Sequence, residues 1–417
     1  MSYGTRSGQG YVIYVESNTT GSGELFIQKT RQLGFHPLFV TRDIKRYPFA
    51  ASLQEFEVLD SPATDAATVL ASIQTRLSIS QIAGVFSASE YYVPLAAEVA
   101  RLIGLPSGNP EQVRRIRNKS IQRDLLSSTA PELCPQYRLA KDATQAGEAA
   151  KTLGFPVVLK PVDGSGSVMV RMCSNPQEVD AQARLILTEG AQLLIEEMIV
   201  GQEISVETFN GVAVGVTMKR LGAIPHFVEL GHLYPAALGS DDKVAAIAAA
   251  EKIASLLGIS WGPAHIELRL SPRGPKLIEL NPRLAGDMIP ELIHQATGID
   301  LIRATILLVC GESFSLRPDW EKVSGIRFLE AQVSGTLNSI DGIEDALQLP
   351  HITAAKQTHR DGAQIMLRGD FRDRVAYLIA TAESAEIVNI SLDRAAASIQ
   401  VHIAGEKSSH PTTRDTP

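Results

Sequence analysis

The sequence predicts an α/β chain of several units, opening on a parallel sheet covered by helices and closing on mixed α+β units. Three observations carry this. Over the first 110 residues, short apolar strands alternate with helical stretches, the signature of a parallel sheet with helical crossovers. Later strands are joined antiparallel through a tight Pro/Gly turn. The 417 residues, at roughly 150 per domain, allow two to four domains.

The elements follow in order. Residues 11–17 (YVIYVES) read as a buried strand, followed by the polar loop 18–23. A helical stretch over 24–33 stops at Gly34, the expected C-cap position. Strands are expected at 37–41, 56–59 and 84–87, completing a first domain over 1–110. A basic helix over 111–126 opens a second unit, 111–200, with strands at 156–161, 168–172 and 193–198. A third unit, 201–310, holds a strand at 203–209 and an alanine-rich helix at 241–257. Ser240 is the expected cap of that helix, two aspartates favour its first turn, and Gly258 ends it. Strands at 264–270 and 276–281 follow, joined by Ser-Pro-Arg-Gly-Pro. A last unit, 311–404, carries strands and two short helices. Residues 1–10 read as a loose terminus and 405–417 as a disordered tail.

Composition excludes several classes. Lys+Arg is 39 and Asp+Glu 46, a net charge of −7, so no basic face is expected for nucleic acid or an anionic membrane. Cys134, Cys173 and Cys310 are far apart, which rules out a disulfide framework and suits a reducing, cytoplasmic setting. No secretory signal is read in the first ten residues, and no apolar run of about 18 residues spans a bilayer. GxxxxGK[ST], GxGxxG after the first strand, HExxH and GxSxG are all absent. A nucleotide would have to be held by another device.

The hairpin near residue 270 is the most informative feature. In its second strand Glu279 and Asn281 share one face, with Ile278 and Leu280 expected on the other. With Glu267 opposite, two carboxylates and an amide converge, an oxygen set that suits Mg2+; a solvated polar face is the competing reading. Arg283 follows in Glu-Leu-Asn-Pro-Arg and suits a phosphoryl or oxyanion clamp. Lys160 ends an apolar strand before the small-residue loop 163–167, whose Gly164, Ser165, Gly166 and Ser167 would let backbone N–H groups approach phosphates. Lys119 is a second phosphate candidate; alone, each lysine would pass for a solvated charge. Residues 193–207 run an apolar strand into Glu196-Glu197, a glycine turn and a strand whose Glu203, Ser205 and Glu207 share a face.

Taken together and in this order, these residues resemble the ATP-grasp superfamily over most of the chain. The resemblance implies an ATP-grasp fold: a Rossmann-like N-terminal domain, two lobes that grip ATP, and a C-terminal α+β domain. It implies that Lys119, Lys160 and the 163–167 loop hold the phosphates. Glu196 and the backbone near Met198–Ile199 would hold adenine, with Glu197 a further cofactor contact, Glu203 would hold the ribose, and Glu267, Glu279 and Asn281 the Mg2+ ions, with Mn2+ as a substitute. The stretch 219–236 (KRLGAIPHFVELGHLYPA) and the LAGD after Arg283 resemble the L-amino-acid ligases, which make dipeptides and related amides, including those of small peptide antibiotics.

That branch implies ATP-dependent amide formation through an acyl phosphate, with an amino acid or an acylated diaminopropionate as the carboxylate. Arg283 would stabilise the oxyanion, and His232 is a candidate general base. Glu207, His226, Glu229, His232, Gly286, Ser89 and Glu90 are candidate substrate contacts. The carboxylate and amine are small molecules, and a homodimer is an expectation carried by the resemblance alone. Two other functions stay open: a purine-type carboxylase or formate-transferring enzyme, and a non-catalytic nucleotide-binding regulator.

Overall fold

The computed structural model describes residues 10–19, 22–51, 56–164, 166–190 and 192–405. The loose N-terminus (apart from Gly10), Ser165 and the tail beyond Gly405 lie outside them. The first unit is β1 (Tyr11–Val15), α1 (Gly23–Gln32), β2 (His36–Thr41), β3 (Glu57–Asp60), α2 (Ala66–Gln74), β4 (Ile82–Phe86) and α3 (Val93–Leu102). The sheet is parallel, in the order β3-β2-β1-β4. Val12, Ile13, Tyr14 and Val15 are all buried, because a parallel sheet is covered on both faces. The chain winds outward from β1 to β2 and β3, then crosses to β4 on the other side. The loops after β1 and β4 therefore flank a crevice at the carboxyl end of the sheet.

The second unit is α4 (Pro110–Ile116), α5 (Lys119–Thr129), β5 (Tyr137–Ala140), α6 (Ala143–Leu153), β6 (Val157–Pro161), β7 (Arg171–Cys173), α7 (Pro176–Thr188) and β8 (Leu193–Glu197). Its sheet is antiparallel, in the order β5-β8-β6-β7. The single basic helix expected over 111–126 is two helices. Asn118 is extended, and its side-chain oxygen accepts from Ser120 N at 2.9 Å, capping α5. The break sets Lys119 at the start of α5, where its N–H donates to Val162 O at 3.0 Å.

The rest of the chain runs β9 (Gln202–Phe209), β10 (Val212–Leu221), β11 (Glu229–Tyr234), α8 (Ser240–Leu256), β12 (Pro263–Ser271), β13 (Gly274–Asn281), α9 (Ile289–Thr297) and α10 (Leu301–Val309). Then come β14 (Val323–Glu330), β15 (Gly335–Asp341), α11 (Ile343–Leu347), β16 (Ile352–Gln357), β17 (Gln364–Ile365), β18 (Arg374–Ala382), α12 (Ala385–Ala397) and β19 (Gln400–Gly405). Gly239, not Ser240, is the N-cap of α8, and no side chain caps it. Strands β13-β12-β9-β10-β11-β14-β18-β16 form one eight-stranded sheet, and β17-β15-β19 a small one. The boundary expected at 310 thus cuts a continuous sheet, since β11 pairs directly with β14. No single helix among the described residues is long and apolar enough to cross a membrane.

Period-two alternation divides the large sheet into two faces. Ile204, Val206, Val216, Ile266, Leu268, Leu277 and Leu280 pack in one core with Ala246, Ala250 and Ile253 of α8. The other face carries Glu203, Ser205, Glu207, Lys219, His265, Glu267 and Arg269. One expectation fails here. The β12–β13 register passes from Glu267↔Glu279 to Leu268↔Leu277, so Ile278 is an extra, bulged residue. Leu277 and Leu280 enter the core, while Ile278 is half-buried on the cleft side.

Candidate nucleotide and substrate site

Two adjoining clefts lie over the polar face of the large sheet. The first lies between that face and the β5-β8-β6-β7 sheet. Its lining includes Lys119, Lys160, Glu196, Glu197, Ile199, Glu203, Glu279 and Asn281, so most residues expected to hold a nucleotide and its metal converge there. The second reaches to the first unit and is lined by Ser89, Glu90, Gly286, Asp287 and Arg374 among others. Gly166, Ser167, Glu229, Glu267 and Arg283 line both.

The buried charges are arranged as ion pairs. Lys160 Nζ lies 2.7 Å from Glu196 Oε2, and Arg123 Nε 2.5 Å from Glu196 Oε1. Burial opposes the carboxylate charge of Glu196, yet Arg123 and Lys160 hold its pKa below the ordinary range. Burial lowers the pKa of Lys160. The bulged Ile278 offers its carbonyl to Arg123 at 2.6 Å and to Lys160 at 3.4 Å. Lys119 Nζ lies 3.0 Å from Glu279 Oε1 and donates to Gly164 O at 2.6 Å, which ties the loop to the hairpin. Glu203 pairs with Arg269, which also donates to Ile199 O at 3.1 Å. Glu197 accepts from Gln136 N and pairs with Arg273.

The phosphate-loop candidates are described from Gly164 and from Gly166 onward. Gly166 has φ +67°, and a Cβ there would stand 2.6 Å from the Phe371 ring, so glycine is required on both counts. Ser167 Oγ donates to Phe227 O at 3.1 Å. The loop therefore rests against residues from both later parts of the chain.

An acidic cluster forms around a lysine that the sequence reading passed over. Glu203, Glu229 and Glu267 each bring an oxygen within 4.8 Å of the others. Lys219 Nζ sits 2.9 Å from Glu229 and 2.8 Å from Glu267, with its side chain 1% exposed. Burial opposes its charge, but those carboxylates raise its pKa well above the ordinary lysine value. The cluster already holds a cation. Glu267, Glu279 and Asn281 present oxygens of the kind Mg2+ takes, with Glu267 opposite Glu279 in the register; here Lys219 pairs with Glu267 and Lys119 with Glu279. His265 explains part of the order: its Nδ1 is 2.8 Å from Glu207 and its Nε2 2.9 Å from Glu267. Burial works against its charge, but the two carboxylates raise its pKa to about 9.

Three expected substrate contacts are not in either cleft. Glu207 is 2% exposed and lies behind His265, with its carboxylate also accepting from Ser205 Oγ at 2.9 Å. His226 packs against Gly369, where an added Cβ would meet its ring at 2.6 Å. His232 has a side chain with no exposure, and its Nε2 lies 3.2 Å from Glu229 and 3.4 Å from Asp287. Burial opposes the charged ring, but these carboxylates raise its pKa, and the ring opens on neither cleft. Arg283 Nη2 donates to Glu90 Oε2 at 2.7 Å, joining residues 193 positions apart.

Comparison with known proteins agrees with this fold. A model described as an ATP-grasp domain matches residues 153–291, and one described as L-amino acid ligase C-terminal domain 2 matches 327–404. The uncharacterized protein y4rH of Sinorhizobium fredii is 31% identical over 96% of this chain and 84% of its own length. Carnosine synthase 1 of Gallus gallus is 29% identical over 52% of this chain, which spans only 26% of that enzyme. The fold matches the crystal structure of an L-amino acid ligase from Bacillus licheniformis with a TM-score of 0.80, at 22% identity, over 96% of this chain and all of that one. The chain belongs to the ATP-grasp carbon–nitrogen ligases and carries a C-terminal domain of the L-amino acid ligase type.

Proposed function

We propose that the protein joins a carboxylate to the amine of an L-amino acid through an acyl phosphate, releasing ADP and phosphate. The observation that carries this is the junction: Arg283, Glu229 and Glu267 line both clefts, so the nucleotide side opens directly onto a polar substrate side. Lys119 and Lys160 would hold the ATP phosphates, and the loop carrying Gly166 would cover them. Glu267, Glu279 and Asn281 would hold Mg2+, which supplies neutralisation of the phosphate charge when bound.

A carboxylate oxygen of the first substrate then attacks the γ-phosphorus and ADP leaves. The amine nitrogen attacks the acyl carbon, phosphate leaves, and one proton is lost. Arg283 would stabilise the negative charge that develops on the tetrahedral oxygen; burial opposes its own charge, but Glu90 raises its pKa. Glu229 and Glu90 are carboxylates on the substrate side that would receive a substrate ammonium.

The test is ADP release from MgATP with pairs of the twenty amino acids and diaminopropionate derivatives. Release that needs two components supports the ligase. Release that needs bicarbonate or formate instead would replace it with the carboxylase or formate-transferring reading.

A further inference from the structure

The substrate cleft carries three arginines, Arg46, Arg283 and Arg374. Two are paired: Arg283 with Glu90 and Arg374 with Asp287, each at 2.7 Å. Arg46 has no ion-pair partner among the described residues. It ends the short 3-10 turn Ile44–Arg46 after β2 and is exposed. Asp43, the acid nearest in sequence, caps that turn by accepting from Lys45 N at 3.0 Å.

The surroundings of Arg46 are those of a ligand site. Ser17, Asn18 and Thr19, in the loop after β1, line the same cleft. They lie at the carboxyl end of the parallel sheet beside the point where its winding reverses, which is where open α/β sheets bind ligands. Ser17 is 5% exposed, and its hydroxyl has no hydrogen-bond partner. None of Ser17, Asn18, Thr19 or Arg46 lines the nucleotide cleft. This end is therefore polar, carries an arginine with no ion-pair partner among the described residues, and lies apart from Lys119 and Lys160, which line only the nucleotide cleft.

The reaction leaves one group for such a place. The carboxylate of the first substrate is consumed at the phosphate. An amino acid acting as the amine keeps its own α-carboxylate through to the product. That carboxylate must sit in a cleft lined by Glu90, Glu229, Glu267 and Asp287, where like charge repels it unless a cation receives it. We propose that Arg46, with the Ser17–Thr19 loop, binds the α-carboxylate of the amine substrate and thereby restricts that substrate to amino acids over simple amines. The assignment rests on the ligase reading above.

Calorimetry separates this contact from turnover. The full-length protein, with Mg2+ and a non-hydrolysable ATP analogue, is titrated with each of the twenty L-amino acids and then with the carboxamides of those that bind. Wild type should show a binding event for the acid that weakens about 10- to 100-fold for the carboxamide, the worth of one charge-assisted contact. Arg46→Ala should weaken the same event with the acid by a similar factor, and Arg46→Lys should restore part of it. Equal affinity of all three proteins for the ATP analogue would exclude misfolding. The proposal is overturned if no event depends on Arg46, if acid and carboxamide bind alike, or if neither binds. ADP release with the same amino acids reads the reaction independently. Arg46-dependent binding without ADP release would keep the subsite and remove the ligase reading.

Discussion

Replacing Lys219 with methionine tests the charge arrangement at its centre. The ammonium is buried between Glu229 and Glu267 at 2.9 and 2.8 Å. Removing one partner of a buried ion pair costs about 3–5 kcal/mol, because the remaining charge is left desolvated. Here the carboxylates keep other partners: Glu267 has His265 at 2.9 Å and Glu229 has His232 at 3.2 Å. The loss should therefore sit near the lower end, about 3 kcal/mol. The variant should also gain a property. With the lysine gone, Glu203, Glu229 and Glu267 become an oxygen cluster open to a divalent cation. A cation present at 100 times its Kd would return about 2.7 kcal/mol. The assay is urea unfolding followed by circular dichroism, in EDTA and in Mg2+. Lys219→Met should unfold earlier than wild type in EDTA and gain more from Mg2+ than wild type does. Equal midpoints in EDTA, or equal gains from Mg2+, would refute the reasoning.

Other substitutions separate the remaining roles. Glu279→Ala should lower turnover by about 100-fold or more while circular dichroism still reports a folded chain, because the loss falls on metal binding; wild-type turnover would remove that assignment. Arg283→Ala should depress kcat more than it raises the ATP KM, and Arg283→Lys should not restore it, since an ammonium lacks the planar fork; a pure rise in KM would contradict a role on the oxyanion. Gly166→Ala should weaken ATP binding, because its Cβ would stand 2.6 Å from Phe371 at φ +67°. Adding Phe371→Ala should recover part of that loss, and an unaltered ATP affinity in the single variant would show that the loop does not cover the phosphates.

Local chemistry made much of the site legible. Strict alternation set Glu203, Ser205 and Glu207 on one face, and the tight turn after Leu270 placed Glu267 opposite Glu279. What alternation cannot report is a bulge, so Ile278 was assigned to the wrong side. Nor does helical periodicity reveal a cap inside a basic run, although Asn118 followed by Lys-Ser was a usable signal for one. Lys219 stood in a motif already singled out. Its position on the polar face follows from Met218 pairing with Ile204, a register that only the folded sheet supplies.

The sequence by itself determined the order of elements, the polar and apolar faces of the strands, and the inventory of charged groups, because each depends on neighbours a few residues away. The tertiary structure alone decided which charges meet. Glu90 reaches Arg283 across 193 positions and Arg123 reaches Glu196 across 73. Those meetings turned Glu207 from a substrate contact into the support of His265, and they bury the candidate base His232 between Glu229 and Asp287. They also joined two expected domains through one sheet. A buried charge takes its state from its nearest opposite charge and from the water it has lost, and both are set by packing between distant segments.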